Sequence, residues 1–352
     1  MADLQFPEDI LDNIVFRLST KTFFRFKSVT KHWNSLIPNH FMKLRSKPLT
    51  LLSVQGIFHA IDNSVPCDHL DYSIIRSSPL GNLEGNKIII VGAFNGILLI
   101  IFQDQFPNHM RLYNPFTKQS DNVPDPPSCD HTFIYNYGFG YGTTPDDLKI
   151  FLLRRASVTH RRSCHVYSFK TRSWDKTALW LAEGYNYKYM QDAGTFVNGF
   201  LYWIAHKHGS GRLILALDIK NMEFSEIEFP TKRTFRSVTL GTLNGHLCMI
   251  CSNSSCCEVW QCNKHGTAES WSKKYSSKLL SRGNYLYEFE PVSMLDEGKI
   301  VMIKGSNQVI IHDILKDPNK EVKALTTPYD ISRTQIIEYV ETLVSPSNLY
   351  SS

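Results

Sequence analysis

A chain of 352 residues with 42% hydrophobic content is long enough to bury a sizeable core, and charged residues at 20% exclude wholesale disorder. No apolar run approaches the roughly 18 residues that a membrane span needs; the longest, "IIIVGAF" and "ILLIIF", are broken by Gly92, Asn95 and Gly96. The net charge of +5 is concentrated at the start, where residues 1–47 hold eight Lys and Arg against four acids, so an acidic partner is expected to meet the chain there.

The first residues, "MADLQFPEDI", contain no apolar signal run. The expectation is an intracellular protein, in the cytoplasm and/or nucleus, whose eight cysteines are thiols rather than a disulfide framework. Pro7 suits the first turn of a helix, and Glu8 and Asp9 suit its positive end. Ile10, Leu11, Ile14, Val15 and Leu18 recur at spacings of three and four, one apolar stripe of an amphipathic helix. Ser19 and Thr20 break the pattern. Phe23, Phe24, Phe26 and Val29 form a second apolar set, and Thr30 caps a third that carries Trp33, Leu36 and Ile37 before Pro38 stops it. Residues 7–37 thus read as three short helices.

Three helices of this size cannot bury so many large side chains among themselves. They pack either on the rest of the chain or on an external partner. A homeodomain-like DNA reader needs a polar base-reading face on its third helix; here that helix carries Trp33 and Leu36, so nucleic acid is not the expected partner.

The segment resembles a plant-type F-box. The matching residues are Pro7-Glu8-Asp9-Ile10-Leu11, Ile14, Arg17-Leu18, Lys21, Arg25-Phe26-Lys27, Val29, Lys31 and Trp33, in register without a gap. The resemblance implies a unit that binds the acidic adaptor Skp1 of an SCF ubiquitin ligase and, through it, a cullin. The adaptor-binding residues it implies are Pro7, Ile10, Leu11, Ile14, Leu18, Phe23, Phe24, Phe26, Val29, Trp33 and Leu36. Some positions depart from the family pattern: Phe6 stands for Leu, Ser19-Thr20 for Pro-Val, Phe23-Phe24 for Leu-Leu, and Ser28 for Cys.

From residue 49 onward the pattern changes to short apolar runs rich in β-branched and aromatic residues, punctuated by turns. The turn signals are Asn95-Gly96, Asn198-Gly199, Asn244-Gly245, Glu297-Gly298 and the glycines of "YGFGYGTTPDD" (Gly138, Gly140, Gly142). A strand follows each turn: "ILLIIF", "LKIFLL", "FLYWIA", "HLCMIC", "KIVMIK". Gly96, Gly142, Gly199, Gly245 and Gly298 are 46, 57, 46 and 53 residues apart. A unit of about 50 residues with two clear strands and room for two more is the signature of a propeller blade. Five units cover residues 86–326. The strand-like ends "PLTLLSVQGIF" and "IIEYVETLVSP" would make a sixth by pairing with each other, which removes two exposed edges. Six blades are therefore expected, ahead of five or seven.

This half resembles the plant F-box-associated domain through "YNPFTK" (113–118), "GFGYGTTPDDLKI" (138–150), "VYSFKTRSW" (166–174), "NGFLYWIA" (198–205) and "YVETLVSP" (339–346). The resemblance implies recruitment of a protein target.

Other clusters are weaker. Cys248, Cys251, Cys256, Cys257 and Cys262, with His246 and His265, include a Cys-x-x-Cys spacing. In a strand, however, Cys248 and Cys251 point to opposite faces, so no metal site is expected. "RRASVTHRR" (154–162) reads first as a solvated loop between two blade strands, and otherwise as a phosphate or nucleic-acid patch or an import signal. Tyr185, Tyr187 and Tyr189 alternate and share one face of an extended segment, a candidate target-binding row. No nucleophile elbow, phosphate loop or His-Glu-x-x-His motif occurs, so neither an enzyme nor a cofactor is expected.

The expectation is thus an α+β multidomain chain. Residues 1–47 form a three-helix F-box, 48–346 an all-β propeller-like target-binding domain, and 347–352 a tail. Its expected role is the substrate-recognition subunit of an SCF ubiquitin ligase. The alternative is a propeller that binds a small molecule or glycan, with the N-terminal helices as a structural part.

Overall fold

The run "ILLIIF" has no polar residue because neither of its faces meets water. Ile97, Leu99 and Ile101 enter one buried cluster, and Leu98, Ile100 and Phe102 enter another on the opposite face. Side chains alternate across a strand, so a continuous apolar run is what a strand packed on both sides requires.

A computed structural model describes Ile10 and residues 49–54, 57–61, 76–78, 88–102, 109–126, 134–155, 164–175, 185–186, 193–207, 209, 211–253, 256–263, 271–278, 289–295, 298–305, 308–313, 321–326 and 334–350. These residues make six antiparallel sheets, the blades of a propeller. Blade 1 joins β1 (Leu49–Val54), β2 (Ile57–Ile61) and β3 (Arg76–Ser78) to β25 (Gln335–Tyr339). Blade 2 is β4 (Ile88–Phe94), β5 (Ile97–Phe102), β6 (His109–Tyr113) and β7 (Ser120–Asn122). Blade 3 is β8 (Ile134–Tyr141), β9 (Leu148–Arg155), β10 (Cys164–Ser168) and β11 (Ser173–Asp175).

Blade 4 has β12 (Tyr185–Asn186) and β13 (Thr195–Val197) sharing one edge of β14 (Phe200–Lys207), then β15 (Gly211–Asp218) and β16 (Glu223–Ile227). Blade 5 is β17 (Ser237–Leu243), β18 (His246–Ser252), β19 (Cys256–Cys262) and β20 (Trp271–Lys278). Blade 6 is β21 (Phe289–Leu295), β22 (Lys299–Lys304), β23 (Gln308–Asp313) and β24 (Glu321–Thr326).

The ring closes as the end segments predict. β25 pairs with β1 from Leu49↔Tyr339 to Ser53↔Gln335, so the last strand is the inner strand of the blade begun by the first three. Each of six buried clusters fills one seam between neighbouring blades.

The α+β class expected from the sequence is corrected. Among the described residues the fold is all-β apart from the helical residue Ile10, with 3-10 segments at Pro145–Asp147 and Pro346–Tyr350 and no α-helix of seven or more residues. The reason is that the strands send alternate side chains into the seams on their two sides, as Ile97, Leu99 and Ile101 do against Leu98, Ile100 and Phe102, a pattern of period two rather than 3.6. Of the three helices expected over 7–37, only Ile10, in helical conformation, is among the described residues.

The Asn-Gly turns form as their chemistry demands. Asn95, Asn198 and Asn244 have φ of 47°, 48° and 50°, and the glycines that follow have 74°, 85° and 73°, the double positive φ of a tight hairpin. Gly138 and Gly140 are not turn residues. They lie inside β8, where a Cβ on Gly138 would come 2.6 Å from Leu201 Cδ1 and one on Gly140 would collide with the Phe196 ring. Their role is to let blade 4 approach the inner strand of blade 3.

Candidate functional site

Topology gives the ring two unlike faces. The first and third turns of each blade open on one face, and the second turn and the inter-blade connection open on the other. Leu49 pairs with the last residue of β25, so the N-terminal segment joins the ring on the first face. The opposite face carries the inter-blade connections.

On that opposite face, at the seam of blades 4 and 5, an acid is buried in a strand. The sequence "CCEVWQC" places Cys256, Glu258, Trp260 and Cys262 toward blade 4, and Cys257 and Val259 toward blade 6. The Glu258 side chain is 2% exposed. A carboxylate so placed is costly unless it is paired and hydrogen-bonded, and this one is. Arg233 Nη1 donates to Glu258 Oε1 at 3.2 Å and Lys273 Nζ donates to the same oxygen at 2.9 Å. Trp260 Nε1 donates to Oε2 at 3.1 Å. The Lys273 ammonium also sits 4.8 Å from the centroid of the Trp260 ring, a cation–π contact.

Arg233 comes from the connection "FPTKRTFR" (229–236). Phe235 is its buried anchor. Arg212 Nη1 donates to the Phe235 carbonyl at 3.0 Å, and the Arg236 N–H donates to the Ser252 carbonyl at 3.0 Å. The C-terminal end of the connection is therefore fixed, while Arg212, Lys232, Arg233 and Arg236 remain on the surface. The sequence reading missed this site. The signal was there: one acid on a mostly apolar strand, and three cations in the eight residues of a connection.

The inner strands enclose a cavity of about 790 Å³ along the ring axis. Thr195, Thr239, Thr242, Ser293, Gln335 and Glu338 give it hydroxyl, amide and carboxylate groups, and its described lining holds no Lys, Arg or His. Thr242 Oγ1 donates to Glu338 Oε2 at 3.4 Å, and Gln335 Oε1 accepts the Ile90 N–H at 2.8 Å.

Of the eleven expected adaptor-binding residues only Ile10 is among the described residues, and it is 45% exposed; the other ten lie outside them. Tyr185 begins β12 opposite Lys207, whereas Tyr187 and Tyr189 lie outside the described residues, as do residues 156–162 of the arginine-rich stretch.

The cysteines divide between seams. Cys251, Cys256 and Cys262 face blade 4, and Cys248 and Cys257 face blade 6. Among the described residues no three His, Cys, Asp or Glu side chains gather as a metal would need. Burial pushes the thiols of Cys248 and Cys257 up to about 12, which makes them inert core groups.

Comparison with known proteins matches this architecture. Residues 44–346 match the F-box associated beta propeller domain, and residues 4–43 match the F-box domain. An F-box/kelch-repeat protein of Arabidopsis thaliana is 26% identical over 328 residues, covering 87% of each chain. The F-box protein CPR1 of the same plant is 23% identical over 344 residues, covering 88% of this chain and 82% of that one. Among solved structures, TolB from Acinetobacter baumannii superimposes with a TM-score of 0.50 at 9% identity, over 89% of this chain and 73% of that one; this likeness concerns the fold alone. The six-bladed ring and the match across residues 44–346 lead to one conclusion: the chain belongs to the family of F-box proteins with an F-box associated β-propeller domain.

Proposed function

We propose that this protein is the substrate-recognition subunit of an SCF ubiquitin ligase. Residues 4–43 dock on a Skp1-like adaptor and through it on a cullin, and the propeller holds a protein target for ubiquitination. The observation that carries this reading is the direct joining of an F-box match to a closed six-bladed ring. The exposure of Ile10 and the excess of Lys and Arg in residues 1–47 favour an acidic partner with an apolar groove.

In this reading the chain performs no bond chemistry. It raises the local concentration of target lysines near a ubiquitin-loaded enzyme, so catalysis comes from proximity and orientation. Work in the cytoplasm and/or nucleus fits that role.

The test is co-expression of the full chain with a Skp1-like adaptor. Phe26→Ala and Trp33→Ala are each expected to weaken adaptor binding by about 2 kcal/mol or more while the propeller's unfolding transition stays in place. If both variants unfold the propeller instead, these aromatics belong to its core and the reading fails.

A further inference from the structure

We infer that the surface at the seam of blades 4 and 5, centred on Arg233, Lys232, Arg212 and Lys273, is a docking site for an acidic segment of the protein target. The inference rests on the ligase-subunit reading for the identity of the partner as a protein, and on the geometry around Glu258 for its place and charge.

Glu258 accepts from both Arg233 and Lys273, so one negative charge is shared by two cations. Arg212 and Lys232 add two more on the same surface, and Arg212 is held against the connection by its bond to the Phe235 carbonyl at 3.0 Å. The patch is therefore net positive although an acid sits at its centre. That acid fixes the position of the guanidinium. The Arg233 side chain stays 70% exposed while its Nη1 is held against a buried oxygen. A cation held in place while still facing solvent loses less conformational freedom when a carboxylate arrives, and preorganisation of this kind raises affinity.

Two further observations define the occupant. The patch lies on the face opposite the one where Leu49 enters the ring. Its extent is limited: the nearby acids Glu226 and Glu228 are exposed on the same outer strand and its extension, and Lys207 is already taken by Glu226 at 2.7 Å. A nucleic-acid backbone needs an extended stripe of cations, whereas a short acidic peptide needs only a few.

The experiment uses the full chain and a fluorescein-labelled poly-glutamate peptide of about ten residues, read by anisotropy at low salt, where charge pairing is strongest. The double variant Lys232→Gln/Arg233→Gln is expected to weaken peptide binding by about tenfold or more. The charge-reversed pair Lys232→Glu/Arg233→Glu is expected to abolish it. Lys118→Gln/Lys220→Gln removes the same charge from the opposite face and is expected to leave binding within about twofold. Unchanged thermal unfolding of each variant shows that the ring is intact, and Lys232→Gln alone, which leaves the Arg233–Glu258 pair in place, keeps the test decisive if the double variants alter the connection: it is expected to weaken peptide binding by about threefold.

Equal binding by the parent chain and the double variant overturns the inference, and so does equal loss in the opposite-face variant. Tighter binding of a single-stranded oligonucleotide of the same charge overturns it in favour of nucleic acid. Adaptor binding is measured separately on the same proteins. Loss of adaptor binding counts against the ligase-subunit reading alone, and loss of peptide selectivity against the docking site alone.

Discussion

Asn114 ties blade 2 to the C-terminal segment: its Nδ2 donates to the carbonyls of Thr342 at 3.0 Å and Val344 at 2.8 Å. Its Oδ1 accepts the N–H groups of Phe116 and Thr117 at 2.9 and 3.1 Å, which shapes the turn between β6 and β7. The residue is fully buried, and so is its bond to the Thr342 carbonyl, while the other three partners are half-buried. Asn114→Ala would leave one buried carbonyl and three half-buried groups unpaired, at about 1–3 kcal/mol for the buried one and less for each of the others. The expected loss is about 3 kcal/mol or more in urea unfolding. Asn114→Asp is expected to be as damaging, because a carboxylate keeps the turn acceptors but faces two carbonyl oxygens. A loss under about 1 kcal/mol for both variants would remove the clasp from this account.

Much of the ring was legible because it depends on local chemistry. Asn-Gly at 95, 198 and 244 can be read as tight hairpins, since few other residue pairs accept positive φ twice. The two strand-like ends gave the sixth blade because an open ring leaves edges that a chain must cover. The α+β class did not hold for the described residues, where the period-two pattern governs. Gly138 and Gly140 were misread as turn residues, because sequence does not show that Leu201 and Phe196, some sixty residues on, press against them. The Glu258 site was missed for the same reason: Arg233, Glu258 and Lys273 meet only when a connection crosses two blades. Asn114 was visible within "YNPFTK", but its partners at Thr342 and Val344 are far away in the chain.

The glycines of two inner strands make a paired prediction. At Gly138 an added methyl meets Leu201 Cδ1 at 2.6 Å and Trp203 Cζ2 at 3.1 Å. Trp203 cannot retreat easily, since its Nε1 donates to the Tyr137 carbonyl at 3.1 Å. Gly138→Ala is therefore expected to cost about 2 kcal/mol through overpacking. At Gly241 the same methyl meets only Cys248 Sγ at 3.6 Å, an ordinary contact. Gly241→Ala is expected to be neutral or to stabilise by up to about 1 kcal/mol, by restricting the unfolded chain. Chemical denaturation of the two variants side by side checks the contrast; equal effects would argue against close approach as the reason for Gly138.

Buried thiols set the behaviour in alkali. Burial pushes Cys164, Cys248 and Cys257 up to about 12, and it also raises Cys251, Tyr113, Tyr202 and Tyr339. In the unfolded chain a thiol ionises near pH 8.5. Between those values the unfolded state holds fewer protons than the folded one, so stability falls as pH rises. The slope is about 1.4 kcal/mol per pH unit for each such thiol. The four of them, Cys251 included, remove about 5–6 kcal/mol per unit, enough to unfold an ordinary domain by about pH 11. Stability is expected to be flat from pH 7 to about 8.5 and to fall steeply above that. Cys248→Ala is expected to reduce the slope by about a quarter, provided its cavity is small. A stability profile level to pH 11 would contradict the burial of these groups.

The strands that close the ring offer a finer test than deletion. Gln335 Oε1 accepts the Ile90 N–H at 2.8 Å, at the point where the β4–β5 register shifts between Ile90 and Gly92. A bulge leaves a backbone group without its ladder partner, and here a side chain from the last strand supplies the acceptor. Blade 1 is thereby tied to blade 2 by more than the apolar cluster of Leu51, Phe58, Leu98 and Tyr339. Gln335 also lines the axial cavity, so water can reach the vacated position. Gln335→Ala is therefore expected to cost about 1 kcal/mol, below the full penalty of an orphaned N–H. Hydrogen exchange at Ile90 is the direct readout. Its amide is expected to exchange far faster in Gln335→Ala than in the parent, while amides of β18 in blade 5 keep their protection. Equal loss of protection in β18 would mean that the substitution opens the whole ring, and that closure rests on this single bond rather than on the β1–β25 ladder.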